Sequence, residues 1–279
     1  METRIYSNSN KYSIKDIIVS SLRGYKSSFY LARQLATRDL KAQYRQSILG
    51  VFWALLPVLM SAFVWIFLQA SGAIQLTATG IPYPLFVLIG TTIWSIFSEC
   101  LNMPIGTVRG NVNIITKINF EKEALITLGF IKLLFNLLIK FSLIAAFMIY
   151  FQVAPTTSIL FFIPLLFITI FFFISVGILI TPLGMLYGDV SRLIPIAMQF
   201  LMYITPVLYV MPKEGVLKNF MSINPLTYFI IDLRNSLTGM PIENFTFWFT
   251  ILFVTLLISL LAIIVYRVSM PIITERMSS

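Results

Sequence analysis

Six long and nearly continuous apolar stretches limit what this 279-residue chain can fold into. A helix that crosses a membrane needs about 20 mostly apolar residues, and each stretch is close to that length. Strands that cross a membrane would instead show short segments of alternating polarity. The sequence therefore predicts an all-α membrane protein with six transmembrane helices, which lie approximately at residues 49–70, 84–105, 130–151, 159–182, 193–211 and 246–266.

The composition supports a membrane location and removes several kinds of chemistry. Hydrophobic residues make up 58% of the chain and charged residues only 11%, whereas soluble domains have about 25% charged residues. The chain has no histidine and one cysteine, Cys100, which excludes histidine-dependent catalysis, histidine-ligated metals and an intrachain disulfide. None of its 13 glycines precedes a lysine, so the phosphate-binding loop of ATPases is missing. We predict no catalytic residue, no metal ligand and no cofactor in this chain.

The distribution of basic residues predicts how the chain is oriented in the membrane. Residues 1–47 contain nine of the 20 Lys and Arg residues, whereas the connections 71–83 and 152–158 contain none. Because basic connections stay on the cytoplasmic side, we expect both termini in the cytoplasm. The predicted domains are a cytoplasmic N-terminal segment (1–47), a six-span transmembrane domain (48–270) and a cytoplasmic tail (271–279).

The segment before the first span has the pattern of an amphipathic helix. Its basic and polar residues recur every three or four positions and so share one helical face: Gln34, Arg38, Lys41 and Arg45. The opposite face is more apolar and contains Phe29, Ala32, Ala36, Leu40 and Tyr44. Such a helix lies in the membrane interface. It serves either as an anchor that fixes orientation or as a gate at the cytoplasmic end of a pathway, and the sequence leaves both roles open.

Two connections between spans are more than simple turns. Residues 106–129 form an amphipathic cytoplasmic segment rather than a disordered one. Residues 212–243 are too apolar for a solvated loop, yet too short and interrupted to cross the membrane. We expect this second connection to form a pair of half-helices that dip into the outer leaflet, where protein must shield any non-helical backbone.

Charged residues within the spans are candidates for function, because charges at this depth are costly. Glu99 lies in the second span and Lys140 in the third. Lys132, Asn136 and Lys140 recur every four residues and therefore share one helical face. This face either borders a polar pathway or an anionic headgroup, or it is structural, with Lys132 reaching the interface and Lys140 pairing with Glu99.

Aromatic residues are abundant, with 4 Trp, 12 Tyr and 25 Phe. Many of them are expected to face lipid or to form the aromatic belt at the membrane interface. A pathway for a sugar polymer would also use aromatic faces, which stack on pyranose rings. The candidates for such a channel lining are Trp53, Trp65, Trp94, Tyr203 and Tyr209.

Several short motifs follow one another in a specific order and spacing. They are Arg38-Asp39-Leu40-Lys41-Ala42-Gln43-Tyr44-Arg45-Gln46-Ser47-Ile48-Leu49-Gly50, Phe52-Trp53-Ala54-Leu55, Pro82-Tyr83-Pro84-Leu85-Phe86, Asn111-Val112-Asn113-Ile114-Ile115-Thr116-Lys117, Gly188-Asp189-Val190, Thr205-Pro206-Val207-Leu208-Tyr209 and Asn224-Pro225-Leu226. From about residue 28 to 270, the chain resembles the permease subunit of type 2 ATP-binding-cassette exporters, in the branch that moves lipid-linked polysaccharides.

The chain departs from the pattern of this family at two places. The family often has Phe-Pro-Arg-Glu after the cytoplasmic segment, whereas this chain has Phe120-Glu121-Lys122-Glu123 without the proline. The family also has an Arg-Asp pair before the fifth span, where this chain has Gly188-Asp189. Both departures lie at positions expected to approach an ATPase.

The resemblance implies a homodimer of six-span subunits with two separate cytoplasmic ATPase subunits, which hold ATP and Mg²⁺. It also implies export of an undecaprenyl-diphosphate-linked glycan, such as O antigen, capsule or teichoic acid, across a bacterial inner membrane, with no role for nucleic acid. Residues 107–120 would be the coupling helix on the ATPase, with the contacts Asn111, Asn113, Ile114, Ile115 and Lys117. From their charge and placement, we expect Arg38, Lys41, Arg45, Lys132 and Lys140 to bind the substrate headgroup.

Two other functions remain open at this point. The chain could be a multi-span polymerase or transferase for lipid-linked glycans, although the acidic motifs of such enzymes are missing. It could also be a type 2 permease for drugs or small lipids. Co-purification with an ATPase subunit would separate the permeases from the enzyme.

Overall fold

The computed structural model describes residues 14–45, 49–72 and 79–278, and all regular structure within this part of the chain is helical. Of Tyr44, only the place of its backbone is described; residues 46–48 of the first motif and residues 1–13 lie outside the described part. The described helices are α1 (Ile14–Arg45), α2 (Phe52–Ala70), α3 (Tyr83–Gly110), α4 (Val112–Ile115), α5 (Glu123–Tyr150), α6 (Ile159–Leu186), α7 (Gly188–Tyr203), α8 (Val216–Ile223), α9 (Pro225–Thr238) and α10 (Phe245–Ser278).

Five of the described helices are long and apolar enough to cross a membrane: α2, α3, α5, α6 and α10. They correspond to the first four predicted spans and to the last one. The all-α architecture and the multi-pass membrane class are thus confirmed. Helices α3, α5 and α6 each have 28 residues, which corresponds to about 42 Å at 1.5 Å per residue and exceeds the hydrocarbon thickness of a bilayer.

The helix in the fifth predicted span, α7, has different bounds from the prediction and only 16 residues. It begins at Gly188 and ends at Tyr203, before Thr205-Pro206. A residue before proline is disfavoured in a helix, and the chain turns here instead. Its turn is fixed by α9, because Arg234 donates to the carbonyl oxygens of Pro206 (3.0 Å) and Val207 (2.7 Å). A sixth span formed by this segment stays a prediction.

Helix α3 is the central helix and packs against α2, α5, α6, α7 and α9. In its most apolar stretch 78% of the residues are buried, against 11–39% in the other four long helices. Glycines allow the close contacts: a Cβ at Gly129 of α5 would lie 2.2 Å from Met103 Sδ, and one at Gly177 of α6 would lie 2.5 Å from Leu101 O. Helices α5 and α6 therefore cover two different sides of α3.

Helix α1 includes the predicted amphipathic segment and packs on the first turns of α5. Ala32, Leu35 and Ala36 are buried against Ala124 and Leu128. The predicted polar face is exposed, as expected for Gln34, Arg38, Lys41 and Arg45. Phe29, which was assigned to the apolar face, is exposed as well. The apolar face of α1 thus has a partner within the protein, while its place at a membrane interface stays a prediction.

The predicted pair of helices between residues 212 and 243 is present as α8 and α9. Helix α9 is fixed by buried polar contacts, since Asp232 accepts hydrogen bonds from Asn244 (3.1 Å) and from the Trp248 indole (2.8 Å). Phe229 packs among aromatic rings of three other helices, namely Phe97, Phe172, Phe173, Phe247 and Trp248. This packing places Phe229 of α9 against the middle of α3 and α6 and the start of α10. Insertion of α8 and α9 into a membrane stays a prediction.

Candidate functional site

A polar stripe runs along α3 on a side that other helices cover only in part: α5 reaches it through Lys140, and the α6–α7 junction reaches it through Arg109. Its residues recur every three or four positions and so share one face: Ser95, Ser98, Glu99, Asn102, Gly106 and Arg109. The first four are half-buried, and Gly106 and Arg109 are exposed. The sequence analysis singled out Glu99 but missed the rest of the stripe, although the spacing of its polar residues within an apolar span was a readable signal.

Glu99 in this stripe is paired with Lys140, a contact that belongs to the structural alternative of the sequence analysis. The Lys140 ammonium donates to Glu99 Oε1 at 2.5 Å and to Ser95 Oγ at 2.9 Å. The Lys140 side chain is 2% exposed and the Glu99 side chain 36% exposed. Among the described residues, the buried atoms Glu99 Oε2 and Asn136 Oδ1 have no hydrogen-bond partner. A headgroup role for Lys140 stays a prediction, for a side chain that is enclosed and already paired.

Residues predicted for the headgroup site and for the coupling segment meet around Asp39. Arg38 Nη2 lies 2.7 Å from Asp39 Oδ1 and 3.4 Å from Asn111 Oδ1. Lys132 Nζ of α5 lies 3.6 Å from the other oxygen of Asp39. The exposed face of α1 is therefore connected both to α5 and to the segment after α3. Lys41 and Arg45 are exposed farther along the same helix.

The predicted coupling segment contains the short helix α4 and has one exposed and one buried side. Asn113 and Lys117 are exposed, whereas Ile115 is buried and Ile114 packs beside the α1–α5 contact. Asn111 is also buried and donates its amide to Thr107 O (2.9 Å). Of the five predicted contacts, Asn113 and Lys117 are thus available to another subunit. Ile118, which the sequence analysis missed, is exposed beside them.

A second charged cluster joins the start of α5 to α10 and was not predicted. Arg267 Nη1 donates to Glu121 Oε2 (2.5 Å) and to both oxygens of Glu123 (2.8 and 2.9 Å). Tyr266 donates its hydroxyl to Lys122 O at 3.0 Å. These partners lie more than 140 positions apart in the chain, so no local pattern could reveal them.

Helix α1 also reaches the Glu123 cluster through Gly24 and Tyr25. A Cβ at Gly24 would lie 3.0 Å from Glu123 Oε2, so glycine allows this close approach. Burial, with a smaller contribution from the nearby Glu123 carboxylate, raises the pKa of the Tyr25 hydroxyl. The hydroxyl therefore remains protonated at neutral pH. The segment after α3, the start of α5, α1 and α10 are thus joined at one end of the bundle, which we call the charged end.

The predicted channel aromatics occupy different environments and do not form one cluster. Trp94 is 5% exposed and packs on Phe97 with ring centroids 5.8 Å apart. Trp53 and Tyr203 are exposed, and Trp65 is half-buried. Tyr209 donates its hydroxyl to the carbonyl oxygen of Tyr203, which brings these two residues together. Their role in lining a channel stays a prediction.

An apolar groove on another side of the molecule contrasts with the polar stripe. It has a volume of about 620 Å³ and lies between α5, α6 and α10, with Phe130, Phe167, Phe171 and Leu256 among its lining residues. Such a surface suits hydrocarbon and not a hydrated solute. Among the described residues, no group of three or more His, Cys, Asp or Glu side chains is arranged to hold a metal ion.

Comparison with known proteins identifies relatives of this architecture. The profile of the ABC-2 type transporter family matches residues 30–238. An O-antigen export system permease protein RfbA of Klebsiella pneumoniae is 24% identical over 211 residues, which cover 74% of this chain and 79% of the relative. A protein with the same name from Myxococcus xanthus is 23% identical over 196 residues, which cover 69% and 74% of the two chains.

The family match extends from the second half of α1 to the end of α9. It therefore includes the α1–α5 contact, the polar stripe of α3 and the segment around α4. Because it spans well over half of the 279 residues, this chain belongs to the ABC-2 type transporter family, as a multi-pass membrane transport subunit.

Proposed function

We propose that this chain is the permease subunit of an ATP-driven exporter that moves undecaprenyl-diphosphate-linked polysaccharide, O antigen or a similar glycan, across a bacterial inner membrane. The polymer would pass between two copies of the chain. The names of the relatives, which refer to O-antigen export, support this class of cargo. The energy would come from two copies of a cytoplasmic ATP-binding-cassette ATPase that binds ATP and Mg²⁺.

The observation that carries this proposal is the position of the basic face of α1 beside the segment after α3. Arg38 contacts Asn111, and Lys41 and Arg45 are exposed on the same helix. A basic side chain gains about 1 kcal/mol near an anionic membrane surface, so this face suits the diphosphate of a lipid-linked substrate. One surface thus adjoins both the expected substrate and the expected ATPase contact.

In the proposed orientation, the charged end faces the cytoplasm and both termini lie there. Helices α2, α3, α5, α6 and α10, together with α7, form the six spans, and α8 and α9 lie in the outer leaflet as re-entrant helices. Twenty basic against 11 acidic residues, most of the former near the charged end, favour this orientation because basic segments remain in the cytoplasm.

The contacts at the charged end suggest how ATP binding moves the spans. The ATPase would hold the exposed side of the coupling segment, through Asn113, Lys117 and neighbouring residues. Movement of this segment would reach α1 through Arg38 and Asn111, and α10 through Glu121 and Arg267. Since each connection joins rigid helices, the motion would be a rigid-body displacement.

Complementation of a bacterial strain that lacks its own O-antigen export permease tests this function. The chain, expressed with an ATP-binding-cassette ATPase subunit from the same genome, should restore surface polysaccharide and should co-purify with that ATPase. Co-purification without polysaccharide export would point to a permease for another cargo. A chain that co-purifies with no ATPase and elongates or transfers glycan would be an enzyme, and the proposal would be wrong.

The proposed role of α1 in binding the lipid headgroup is tested separately, by removing positive charges from this helix. Arg38→Ala combined with Arg45→Ala should leave the complex assembled but reduce export, whereas Arg38→Lys combined with Arg45→Lys should keep most of it. Arg33→Ala, another exposed arginine of α1, is the control. Wild-type export by the double alanine variant would refute the headgroup role and leave the permease function standing.

A further inference from the structure

The partly uncovered side of α3 is polar throughout, in the helix whose other sides are the most deeply buried. We infer that the polar stripe, Ser95, Ser98, Glu99, Asn102, Gly106 and Arg109, forms a wall of the hydrated pathway and that the side-chain oxygen atoms of Ser98 and Asn102 accept hydrogen bonds from hydroxyl groups of the passing glycan. This inference rests on the proposed function and identifies the residues that meet the carbohydrate part of the cargo.

The first argument is that lipid cannot cover this stripe at low cost. Polar groups that face hydrocarbon without partners are unfavourable by several kcal/mol each. The exposed positions of the neighbouring long helices are instead large and apolar, as at Leu138 of α5, Phe167 of α6 and Phe253 of α10. The exposed surface of the bundle thus has an apolar part that suits lipid and a polar part, the stripe.

The second argument is that space remains in front of the stripe. Helix α5 contacts α3 at Met103 and Thr107, and α6 contacts it at Leu101 and Pro104, on other sides of the helix. A Cβ placed on Gly106 would meet no atom within 4 Å. The stripe is therefore open at Gly106 and half-buried at Ser98 and Asn102. At its two ends it contacts other helices, because Lys140 of α5 donates to Ser95 and Glu99, and Arg109 donates to Gly184 O (2.9 Å) and Ser191 Oγ (3.0 Å).

The third argument concerns charge and identifies the occupant. Lys140 neutralises Glu99, the one acidic residue of the stripe, at 2.5 Å, so the middle of the stripe does not attract a cation strongly. Asn102 donates its amide to Ser98 O at 2.8 Å, which leaves its carbonyl oxygen as an acceptor. Neutral donors such as carbohydrate hydroxyl groups match these acceptors, whereas an apolar drug or an acyl chain does not.

Accessibility of single cysteines to a charged methanethiosulfonate reagent tests whether the stripe is hydrated. The thiolate is the reactive form and needs water to be stable. In a Cys100→Ala background, we expect Ser98→Cys, Asn102→Cys and Gly106→Cys in the assembled complex to react about tenfold or more faster than the lipid-facing controls Leu138→Cys and Phe253→Cys. Lipid-linked polysaccharide trapped in the complex should slow the reaction at the stripe and not at the controls.

Two results would overturn the inference. Unreactive stripe thiols that form disulfides between two copies on oxidation would show that the second copy covers the stripe. Stripe thiols as slow as the controls, without such disulfides, would show that lipid covers it. Either result would make the inference wrong, and normal export by the same cysteine variants would show that the permease function stands.

Steric block of export provides an independent test with a matched control. Gly106→Trp places a large side chain in the open space before the stripe, so we expect export to fall at least about tenfold while the amount of assembled complex is unchanged. Ala146→Trp adds the same bulk at an exposed position of α5 and should export normally. Normal export by Gly106→Trp would refute a pathway along this face.

Discussion

Lys140 of α5 and Glu99 of α3 form a direct ion pair of 2.5 Å between two membrane-length helices, and the two partners differ sharply in their exposure. Lys140 is enclosed by protein, whereas the Glu99 side chain is partly exposed in the polar stripe. An unpaired ammonium group within an apolar region is very costly. The pair therefore both closes the α3–α5 contact and allows a carboxylate to lie in the polar stripe.

Removal of one partner of this pair should destabilise the subunit more than removal of both charges. Glu99→Gln leaves the Lys140 ammonium, 2% exposed, without its anion, a change that costs about 3–5 kcal/mol for buried pairs. In Lys140→Met combined with Glu99→Gln, no charge is left unpaired, and we expect most of the loss to be recovered. Thermal unfolding of the purified complex measures both. A Glu99→Gln variant as stable as the wild type would contradict a structural role for the pair.

The sequence allowed part of this arrangement to be predicted. The spacing of Lys132, Asn136 and Lys140 placed them on one face of a helix, and the structure confirms that α5 is helical throughout this segment. The partners could not be chosen, because each depends on which helices become neighbours. Lys140 pairs with Glu99 of α3, whereas Lys132, two turns away, lies near Asp39 of α1.

Gly90 of α3 should tolerate no side chain, because two immobile groups lie against it. A Cβ at this position would be 2.2 Å from Val207 O and 2.3 Å from Arg234 Nη2, and these two atoms are hydrogen-bonded to each other. We expect Gly90→Ala to cost about 1–3 kcal/mol through overpacking and to lower the melting temperature. The control is Gly106→Ala in the same helix, where space is open. Equal stability of the two variants would refute this packing.

The turn that Gly90 supports explains why α7 ends before the predicted end of the fifth span. The apolar run continues from 193 to 211, so hydropathy alone indicates one uninterrupted helix. Thr205-Pro206 ends the helix locally, and the guanidinium of Arg234 then accommodates the carbonyl groups freed by the turn. A tertiary contact with a residue 27 positions away is not encoded in the hydropathy of the run.

Asn224 should contribute to stability through both the oxygen and the nitrogen of its side-chain amide. Its Oδ1 accepts a hydrogen bond from Leu226 N (3.0 Å) and caps α9, and its Nδ2 donates to Thr205 Oγ1 (3.0 Å). We expect Asn224→Ala to cost about 0.5–2 kcal/mol, the usual range for loss of an N-cap. Asn224→Asp keeps the cap but loses the donor, so its melting temperature should lie between those of the wild type and the alanine variant. An aspartate variant less stable than the alanine variant would contradict the capping role.

The sequence could predict the candidate site only where residues close in the chain form a repeating pattern. The polar face of α1 follows from a repeat of three and four residues, and the structure shows it exposed. The contact between Arg38 and Asn111 joins residues 73 positions apart, so the proximity of the headgroup and coupling candidates appears only after folding. The proline that the family often has two residues before Glu123 is absent here, and the sequence does not show what this change does. In the structure, Glu123 is buried and paired with Arg267 of α10.

Arg267 should be required both for stability of the charged end and for coupling between the ATPase and transport. Arg267→Gln leaves the Glu123 side chain, 2% exposed, without a cation, which costs about 3–5 kcal/mol. Arg267→Lys keeps the charge but loses the planar fork of donors, so we expect intermediate stability and a lower amount of export per ATP hydrolysed.

The control for Arg267 is Arg192→Gln. The ion pair of Arg192 with Asp189 is 4.0 Å long and exposed, and such pairs contribute at most about 1 kcal/mol. Melting temperature, ATPase rate and export are measured on each complex. If Arg267→Lys lowered stability but left export per ATP unchanged, the cluster would stabilise the fold and would not transmit motion to α10.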